Sequence, residues 1–140
     1  MTLVVDASVA ARWLSKDGSP GDIAYSNGIL ERLTLPNERA HVPCHWSLEI
    51  ANVATRGERM GYIEWSMVEY FLHLIEDIDF QIDVEASTRA LTELTDLARQ
   101  FRLTPYDAAY LELAVRLDCP LATLDKDLRR AAEKAGLEVL

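Results

Sequence analysis

The amino-acid sequence predicts an α/β fold in which helices cover both faces of a short parallel sheet. Short runs of apolar residues recur along the chain, and they are too brief for helices of ordinary length. Between them lie longer segments whose apolar residues recur at helical spacing. Strands that alternate with helices in this way pair in parallel and bury both of their faces. We therefore expect a three-layer α/β/α sandwich around a short central sheet.

The predicted strands are short and bounded by clear signals. The first, Leu3-Val4-Val5, is wholly apolar, as expected for a strand that is buried on both faces. Pro43 ends the second strand, and Gly136 precedes the last one. Strands are predicted over residues 2–5, 40–43, 80–84, 120–124 and 137–140.

The predicted helices are bounded by residues that favour turns. The segment Gly18-Ser19-Pro20-Gly21 separates the first two helices, and Leu35-Pro36-Asn37 ends the second. Thr104 and Pro105 suit the N-cap and the first position of a later helix. Helices are predicted over residues 8–14, 23–34, 45–58, 64–77, 87–101, 105–117 and 127–135.

The composition predicts one soluble globular domain over residues 1–140. Hydrophobic residues make up 49% of the chain and charged residues 26%, which is ordinary for a protein with a packed core. No segment approaches the roughly 18 apolar residues of a membrane span, and the N-terminus lacks the pattern of a secretory signal. The two cysteines, Cys44 and Cys119, suggest neither a disulfide framework nor a zinc site. A reducing cytoplasm, without membrane association, is the expected location.

The net charge of −9 is opposite in sign to that of a typical nucleic-acid-binding surface. Divalent cations could invert the charge at an acidic site, or the acidic surface could serve a basic protein partner while nucleic acid enters along a local basic patch. The charge could also serve solubility alone. The cations that could form such a patch are Arg12, Lys16, Arg56, Arg59, Lys126, Arg129 and Arg130.

Two acidic residues directly follow predicted strands, at the edge of the sheet where parallel α/β proteins bind ligands. Asp6 follows the first strand, where it could be a helix N-cap or a functional carboxylate. Asp125 follows the fourth strand, and either Asp125 or Asp127 could cap the last helix. Asp125 is nearer the strand end and is therefore the preferred ligand, with Asp127 as its substitute.

Two further acidic residues lie on predicted helices. Glu49 shares a polar row with His45, Asn52 and Arg56, which by itself indicates a solvated helix edge. His45 is therefore interpreted as a surface or packing residue.

Asp107 stands three residues after Thr104, which is a capping arrangement. Asp107 also shares a face with Tyr110, Leu111 and Ala114. A carboxylate at the start of an apolar stripe points inward, where an unpaired charge is costly.

Together the four acids have the chemistry of a site for a hard cation. Carboxylate oxygens are the ligands that Mg²⁺ and Mn²⁺ prefer. Ions held in this way can support an in-line displacement at phosphorus. The predicted metal-binding acids are Asp6, Glu49, Asp107 and Asp125.

Four short motifs occur in order along nearly the whole chain. They are Val-Val-Asp6-Ala-Ser8-Val, Ser47-Leu-Glu49-Ile-Ala-Asn52-Val, Leu103-Thr-Pro-Tyr-Asp107-Ala-Ala-Tyr-Leu-Glu-Leu-Ala and Leu121-Ala-Thr123-Leu-Asp125-Lys-Asp127-Leu. In sequence, order and separation they resemble the motifs of PIN-domain ribonucleases, and more narrowly those of VapC-type toxins from bacterial toxin–antitoxin pairs.

The resemblance implies an α/β/α sandwich that cleaves RNA with Mg²⁺ or Mn²⁺. It also implies a homodimer and a small antitoxin that blocks the site. The positions that correspond to the metal-site acids are Asp6, Glu49, Asp107 and Asp125. The supporting polar positions are Ser8, Asn52 and Thr123, to which Asp127 is added as the substitute ligand. Pro105 stands where the family often has a small residue, and it suits a helix start.

Two other function classes compete with the ribonuclease hypothesis. A non-catalytic protein-binding module on the same fold would explain the negative charge and the capping positions. A phosphatase of the haloacid dehalogenase kind is disfavoured, because the chain has Ser8 where a second aspartate would be required. A phospho-acceptor domain is also disfavoured, because Lys126 stands in a different context from the late lysine of such domains.

Overall fold

The computed structural model describes all residues from 1 to 140. Its strands are β1 (Thr2–Val5), β2 (Arg39–Pro43), β3 (Phe80–Asp83) and β4 (Leu121–Ala122). Its helices are α1 (Ala7–Leu14), α2 (Pro20–Leu33), α3 (Trp46–Met60), α4 (Trp65–Glu76), α5 (Ala86–Arg89), α6 (Thr95–Phe101), α7 (Pro105–Leu117) and α8 (Lys126–Lys134), with a π-helical turn (Ala90–Leu94) between α5 and α6.

The four strands form one sheet in the order β3-β2-β1-β4, and every pair is parallel. The predicted α/β class with a parallel sheet flanked by helices is thereby confirmed. Because all strands run the same way, their carboxyl ends share one edge of the sheet. Asp6 and Thr123, which follow the adjacent strands β1 and β4, therefore lie side by side.

The core is centred on β1 and α7. Leu3, Val4 and Val5 are wholly buried because helices cover both faces of the strand. On α7, Tyr110 and Leu111 are also wholly buried, and this helix packs against β1, β2 and β4. The site at the carboxyl ends of the strands thus lies over the buried core.

The predicted last strand over residues 137–140 is wrong. Val139 alone forms a single parallel bridge, with Leu121. Backbone bonds of 3.0 Å flank the bridge, from Leu121 N to Glu138 O and from Leu140 N to Leu121 O. Since β4 itself is only two residues long, it offers too little backbone for a longer partner.

The helix predicted over residues 87–101 is interrupted by the π-helical turn, Ala90–Leu94. The apolar periodicity of residues 87–101 did not reveal the interruption, because a single π-helical turn rotates the buried face of the helix only slightly. None of the helices combines the length and the apolar character that crossing a membrane requires.

Candidate active site

Asp6 is a buried carboxylate held by two hydroxyl groups. It is 4% exposed, and its Oδ2 accepts hydrogen bonds of 2.6 Å from Ser8 Oγ and 2.7 Å from Thr123 Oγ1. Its side chain makes no capping bond at the start of α1, so the N-cap interpretation of this carboxylate is wrong. Burial raises the pKa of Asp6, and the two hydroxyl donors partly oppose that shift.

The two hydroxyls also bind the loop that follows β4. Ser8 Oγ accepts a bond of 3.0 Å from Leu124 N, and Thr123 Oγ1 accepts one of 3.0 Å from Asp125 N. Each hydroxyl has one proton, and it donates that proton to Asp6. The same two hydroxyls therefore connect Oδ2 of Asp6 to the backbone of Leu124 and Asp125.

Asp107 lies in the first turn of α7, with its carboxylate directed into the site. Thr104 Oγ1 accepts a bond of 3.2 Å from Asp107 N, and Pro105 begins the helix, so the predicted start of α7 is confirmed. Burial and then the charges of Asp6, Asp125 and Glu49 raise the pKa of Asp107 to about 6. Three other acids therefore act on this one carboxyl group.

Glu49 points from α3 toward α7 rather than along a solvated edge. Its Oε1 accepts a bond of 2.8 Å from the hydroxyl of Tyr110. His45 Nε2 lies 3.2 Å from the same oxygen and 3.1 Å from the backbone oxygen of Tyr106. Tyr110 is fully buried, and burial, reinforced by the charges of Asp6 and Glu49, raises its pKa. Tyr110 thus stays protonated and donates to Glu49.

Sequence reasoning found one partner of Glu49 and missed the other. His45 lies in the predicted polar row, its contact with Glu49 is an i,i+4 pair, and its ring packs edge-on against Tyr110, with the centroids 5.3 Å apart. Tyr110 was counted only as part of an apolar stripe. The available signal was a polar hydroxyl on an otherwise buried face, since such a group requires a hydrogen-bond partner.

Asp125 combines capping with membership of the acidic cluster. Its Oδ1 accepts a bond of 2.8 Å from Leu128 N at the start of α8. Its charge also raises the pKa of both Asp6 and Asp107. Asp127, the substitute candidate, is exposed and pairs with Arg130 at 2.7 Å, so its carboxylate faces a cation outside the cluster.

The other predicted supporting and basic residues occupy different environments. Asn52 is exposed on α3. Arg129, a candidate for the basic patch, donates bonds of 3.1 Å to the backbone oxygens of Thr123 and Leu140. Its guanidinium also lies 5.9 Å from the ring centroid of Tyr25, whose hydroxyl accepts a 3.2 Å bond from Thr123 N. Arg129 therefore supports the loop after β4 from within, and it does not belong to a surface patch.

The donor set suits a hard cation, although the side chains are not closed around one position. No three acidic, histidine or cysteine side chains lie close enough together to hold one ion in this arrangement. The four acids nevertheless lie close enough to interact, because the charges of Asp6, Glu49 and Asp125 disfavour the ionised form of Asp107, and those of Glu49 and Asp125 disfavour the ionised form of Asp6. A divalent cation would offset both that repulsion and the burial of Asp6. Because Glu49 is 37% exposed, its carboxylate has room to rotate toward such an ion.

Comparison with known proteins gives consistent results. A family model described as the PIN domain matches residues 3–134. The chain is 28% identical over 129 residues to "Ribonuclease VapC3" of Pyrobaculum aerophilum, with 91% of this chain and 92% of that protein covered.

Two solved structures share the fold. One is the crystal structure of PAE2754 from Pyrobaculum aerophilum, with a TM-score of 0.68, 19% identity, and coverage of 99% of this chain and 92% of the other. The second is VapBC2 from Rickettsia felis bound to a DNA fragment from their promoter, with a TM-score of 0.64, 15% identity, and coverage of 100% and 98%. At these identities the likeness concerns the fold alone.

Proposed function

Since the chain belongs to the PIN domain family, we propose that it is an endoribonuclease that depends on Mg²⁺ or Mn²⁺. The observation that supports this proposal best is the environment of Asp6. A buried carboxylate held by two hydroxyls, beside three further acids, has little value for stability, because burial and repulsion disfavour its charge. Such an arrangement suits a site in which a bound cation neutralises the carboxylates.

In this proposal Asp6, Glu49, Asp107 and Asp125 hold the metal. When bound, the metal would help to ionise a water molecule and would neutralise charge that develops on the phosphate. Ser8 and Thr123 hold Asp6 through its Oδ2, which leaves the other carboxylate oxygen for the ion. Water attacks phosphorus, the P–O bond to the next nucleotide breaks, and the leaving oxygen takes up a proton.

Tyr110 and His45 would keep Glu49 in position during this reaction. Tyr110 donates to Oε1 of Glu49, and His45 Nε2 lies 3.2 Å from the same oxygen, so the second oxygen of Glu49 remains free. Since Tyr110 lies on α7 and His45 contacts Tyr106 O from the start of α3, the two residues also fix the spacing between the helices that carry Asp107 and Glu49. Groups of this kind orient metal ligands and tune their affinity.

We also propose the biological setting from the relatives' names. One relative is named as a VapC ribonuclease, and one structural neighbour is a VapBC assembly. The chain would then be a single-domain cytoplasmic toxin that forms a homodimer and is blocked by a cognate antitoxin. The net charge of −9 suits a basic antitoxin segment.

A second candidate is a non-catalytic PIN-like module that binds a protein partner. It is favoured by one observation, namely that no three acids converge on one position. Such a module would bind its partner without taking up metal.

The deciding assay incubates purified protein with RNA, with and without Mg²⁺, and compares the wild type with Asp6→Asn. We expect cleavage only by the wild type and only with metal. Asp96→Asn, which removes an exposed acid on α6, is the matched control and should cleave normally. An Asp6→Asn variant as active as the wild type would refute the proposal. Partner binding without calorimetric metal uptake would support the non-catalytic module instead.

The same assay resolves the choice between Asp125 and Asp127. We expect Asp125→Asn to lose cleavage and Asp127→Asn to retain it, because only Asp125 acts on the other acids.

A further inference from the structure

A cleft at the end of α6 and along α8 concentrates positive charge in an otherwise acidic protein. It has a volume of about 590 Å³, and we call it the basic cleft. Its lining residues are Gln100, Phe101, Arg102, Arg130 and Lys134. Three of the five are cations and none is acidic, while the chain as a whole has a net charge of −9.

The cations of the basic cleft are accessible to a ligand. Arg102, Arg130 and Lys134 are all exposed. Among them only Arg130 forms an ion pair, at 2.7 Å with Asp127, and both of these side chains are largely exposed. An exposed pair of this kind is weak, so a phosphate can replace the carboxylate. Counting Asp127, the cleft has three positive charges against one negative charge.

Both walls of the basic cleft are connected along the chain to acids of the site. Arg102 stands directly before the segment that begins α7 at the Thr104 cap and brings in Asp107. The other wall is α8, which begins at the Asp125 cap and places Arg130 and Lys134 four residues apart on one face. Arg130 Nη2 also donates a bond of 3.4 Å to Phe101 O, which joins the two walls.

The backbone at Arg102 is unusual for an arginine. It has φ 56° and ψ 48°, the left-handed conformation that ends α6. Glycine or asparagine is the common choice at this position, because a Cβ is disfavoured there. Arg102 therefore occupies a position where the backbone conformation alone would favour glycine or asparagine.

We propose that the basic cleft binds the phosphate backbone of the RNA strand and leads it to the acidic site. This proposal rests on the proposed ribonuclease function. It identifies where the part of the RNA strand beyond the cleaved phosphate binds. The charged groups of the cleft contact phosphates and not bases, so they contribute affinity without sequence preference. The cleft also explains how a protein with a net charge of −9 can bind a polyanion, since the positive charges that attract the phosphates are concentrated in the cleft.

The test uses two variants that remove cleft cations with little effect on the fold. Arg102→Gly replaces arginine by the residue that the left-handed backbone favours, and Lys134→Gln alters an exposed helix position. Asp118→Gly is the backbone control, because Asp118 has φ 49° and ends α7 in the same conformation outside the cleft. Arg39→Gln, at an exposed position that begins β2, is the charge control, because Arg39 like Arg130 forms one exposed ion pair.

Cleavage kinetics on a single-stranded RNA provide the first readout. We expect KM to rise about two- to fivefold for each cleft cation removed, as for one exposed charge contact, with kcat unchanged because the contact is the same in the ground and transition states. The controls should match the wild type. A wild type that cleaves RNA, with both cleft variants equal to Arg39→Gln, would overturn the cleft proposal and leave the ribonuclease function standing.

Salt dependence provides a readout that does not require cleavage. Fluorescent single-stranded RNA is bound to Asp6→Asn protein over a range of salt concentrations, with and without each cleft substitution. The slope of log affinity against log salt should become shallower by about 0.7 for each cation removed. An unchanged slope overturns the proposal. Displacement of the RNA by a polyglutamate peptide as effectively as by unlabelled RNA also overturns it, in favour of an acidic protein partner.

Discussion

The hydroxyl of Tyr110 donates a hydrogen bond of 2.8 Å to Oε1 of Glu49. Tyr110 is fully buried, whereas the Glu49 side chain is 37% exposed. The bond therefore fixes the inner oxygen of the carboxylate and leaves the outer oxygen accessible. It also joins α7 and α3, the helices that carry two of the four acids.

Removal of this hydroxyl should weaken metal binding more than it weakens the fold. In Tyr110→Phe the ring still fills the core, but Glu49 loses the donor that orients it. We expect Mn²⁺ affinity to fall about tenfold or more, as is typical when a group that supports a metal ligand is lost. Isothermal titration calorimetry measures the affinity directly. Tyr70→Phe, at an exposed tyrosine on α4, should bind Mn²⁺ like the wild type, and equal affinities in the two variants would contradict the positioning role.

The hydroxyl of Thr123 should be needed for both stability and activity. Thr123→Val keeps the shape of the buried side chain but removes the donor to Asp6 and the acceptor for Asp125 N. We expect a loss of about 1–3 kcal/mol in the free energy of unfolding, because a buried N–H is left without a partner. Urea titration measures the loss. Thr55→Val, at an exposed position on α3, should change stability little, and a similar small effect at Thr123 would argue against the network.

The raised pKa of Asp107 predicts a specific pH dependence of stability without metal. Its folded pKa is about 6, against 3.8 for the free group, so the folded state binds the proton more tightly. Protonated Asp107 therefore favours folding at low pH, and this contribution is lost as pH rises from about 4 through about 6. In chelator, the wild type should lose stability relative to Asp107→Asn across this window. A difference between the two proteins that does not vary with pH would show that Asp107 titrates normally.

Divalent metal should stabilise the protein against heat. Ligand that binds only the folded state raises stability by about 2.7 kcal/mol at one hundred times its dissociation constant. We expect a higher Tm in millimolar Mn²⁺ than in chelator, and a smaller increase in Asp107→Asn. Differential scanning fluorimetry at pH 7 tests this, since protons compete with metal below the pKa of Asp107. An equal Tm in chelator and Mn²⁺ would mean that the four acids do not bind one centre.

Much of the fold could be predicted because the relevant signals are local. The apolar run before Asp6 and the Thr104-Pro105 start of α7 both depend on neighbouring residues, and both match the structure. The strand predicted over residues 137–140 does not form, because a strand needs a partner of matching length and β4 has only two residues. Periodicity alone does not report the length of a neighbouring strand.

The site could be predicted in its residue types but not in its contacts. Asp6 was left as either a cap or a functional carboxylate, and its bond to Thr123, which follows the adjacent strand β4, depends on how the strands pair. The bond from Tyr110 to Glu49 depends on how closely α7 approaches α3. The positions of the cations could not be predicted either. Arg129, a predicted patch residue, binds the loop after β4, whereas Arg102, which was not predicted, lines the basic cleft.

The bond from Thr123 to Asp6 spans 117 residues of sequence, and this has a consequence for biosynthesis. While the chain is being made, Asp6 and Ser8 leave the ribosome long before Thr123, and β1 lacks its β4 neighbour until Leu121 and Ala122 have emerged. A chain that ends before Leu121 would therefore contain Asp6 with only one of its two hydroxyl donors, Ser8, and would lack Asp125 and α8. The order of the strands in the sheet thus delays assembly of the site until β4, the loop after it and α8 have left the ribosome.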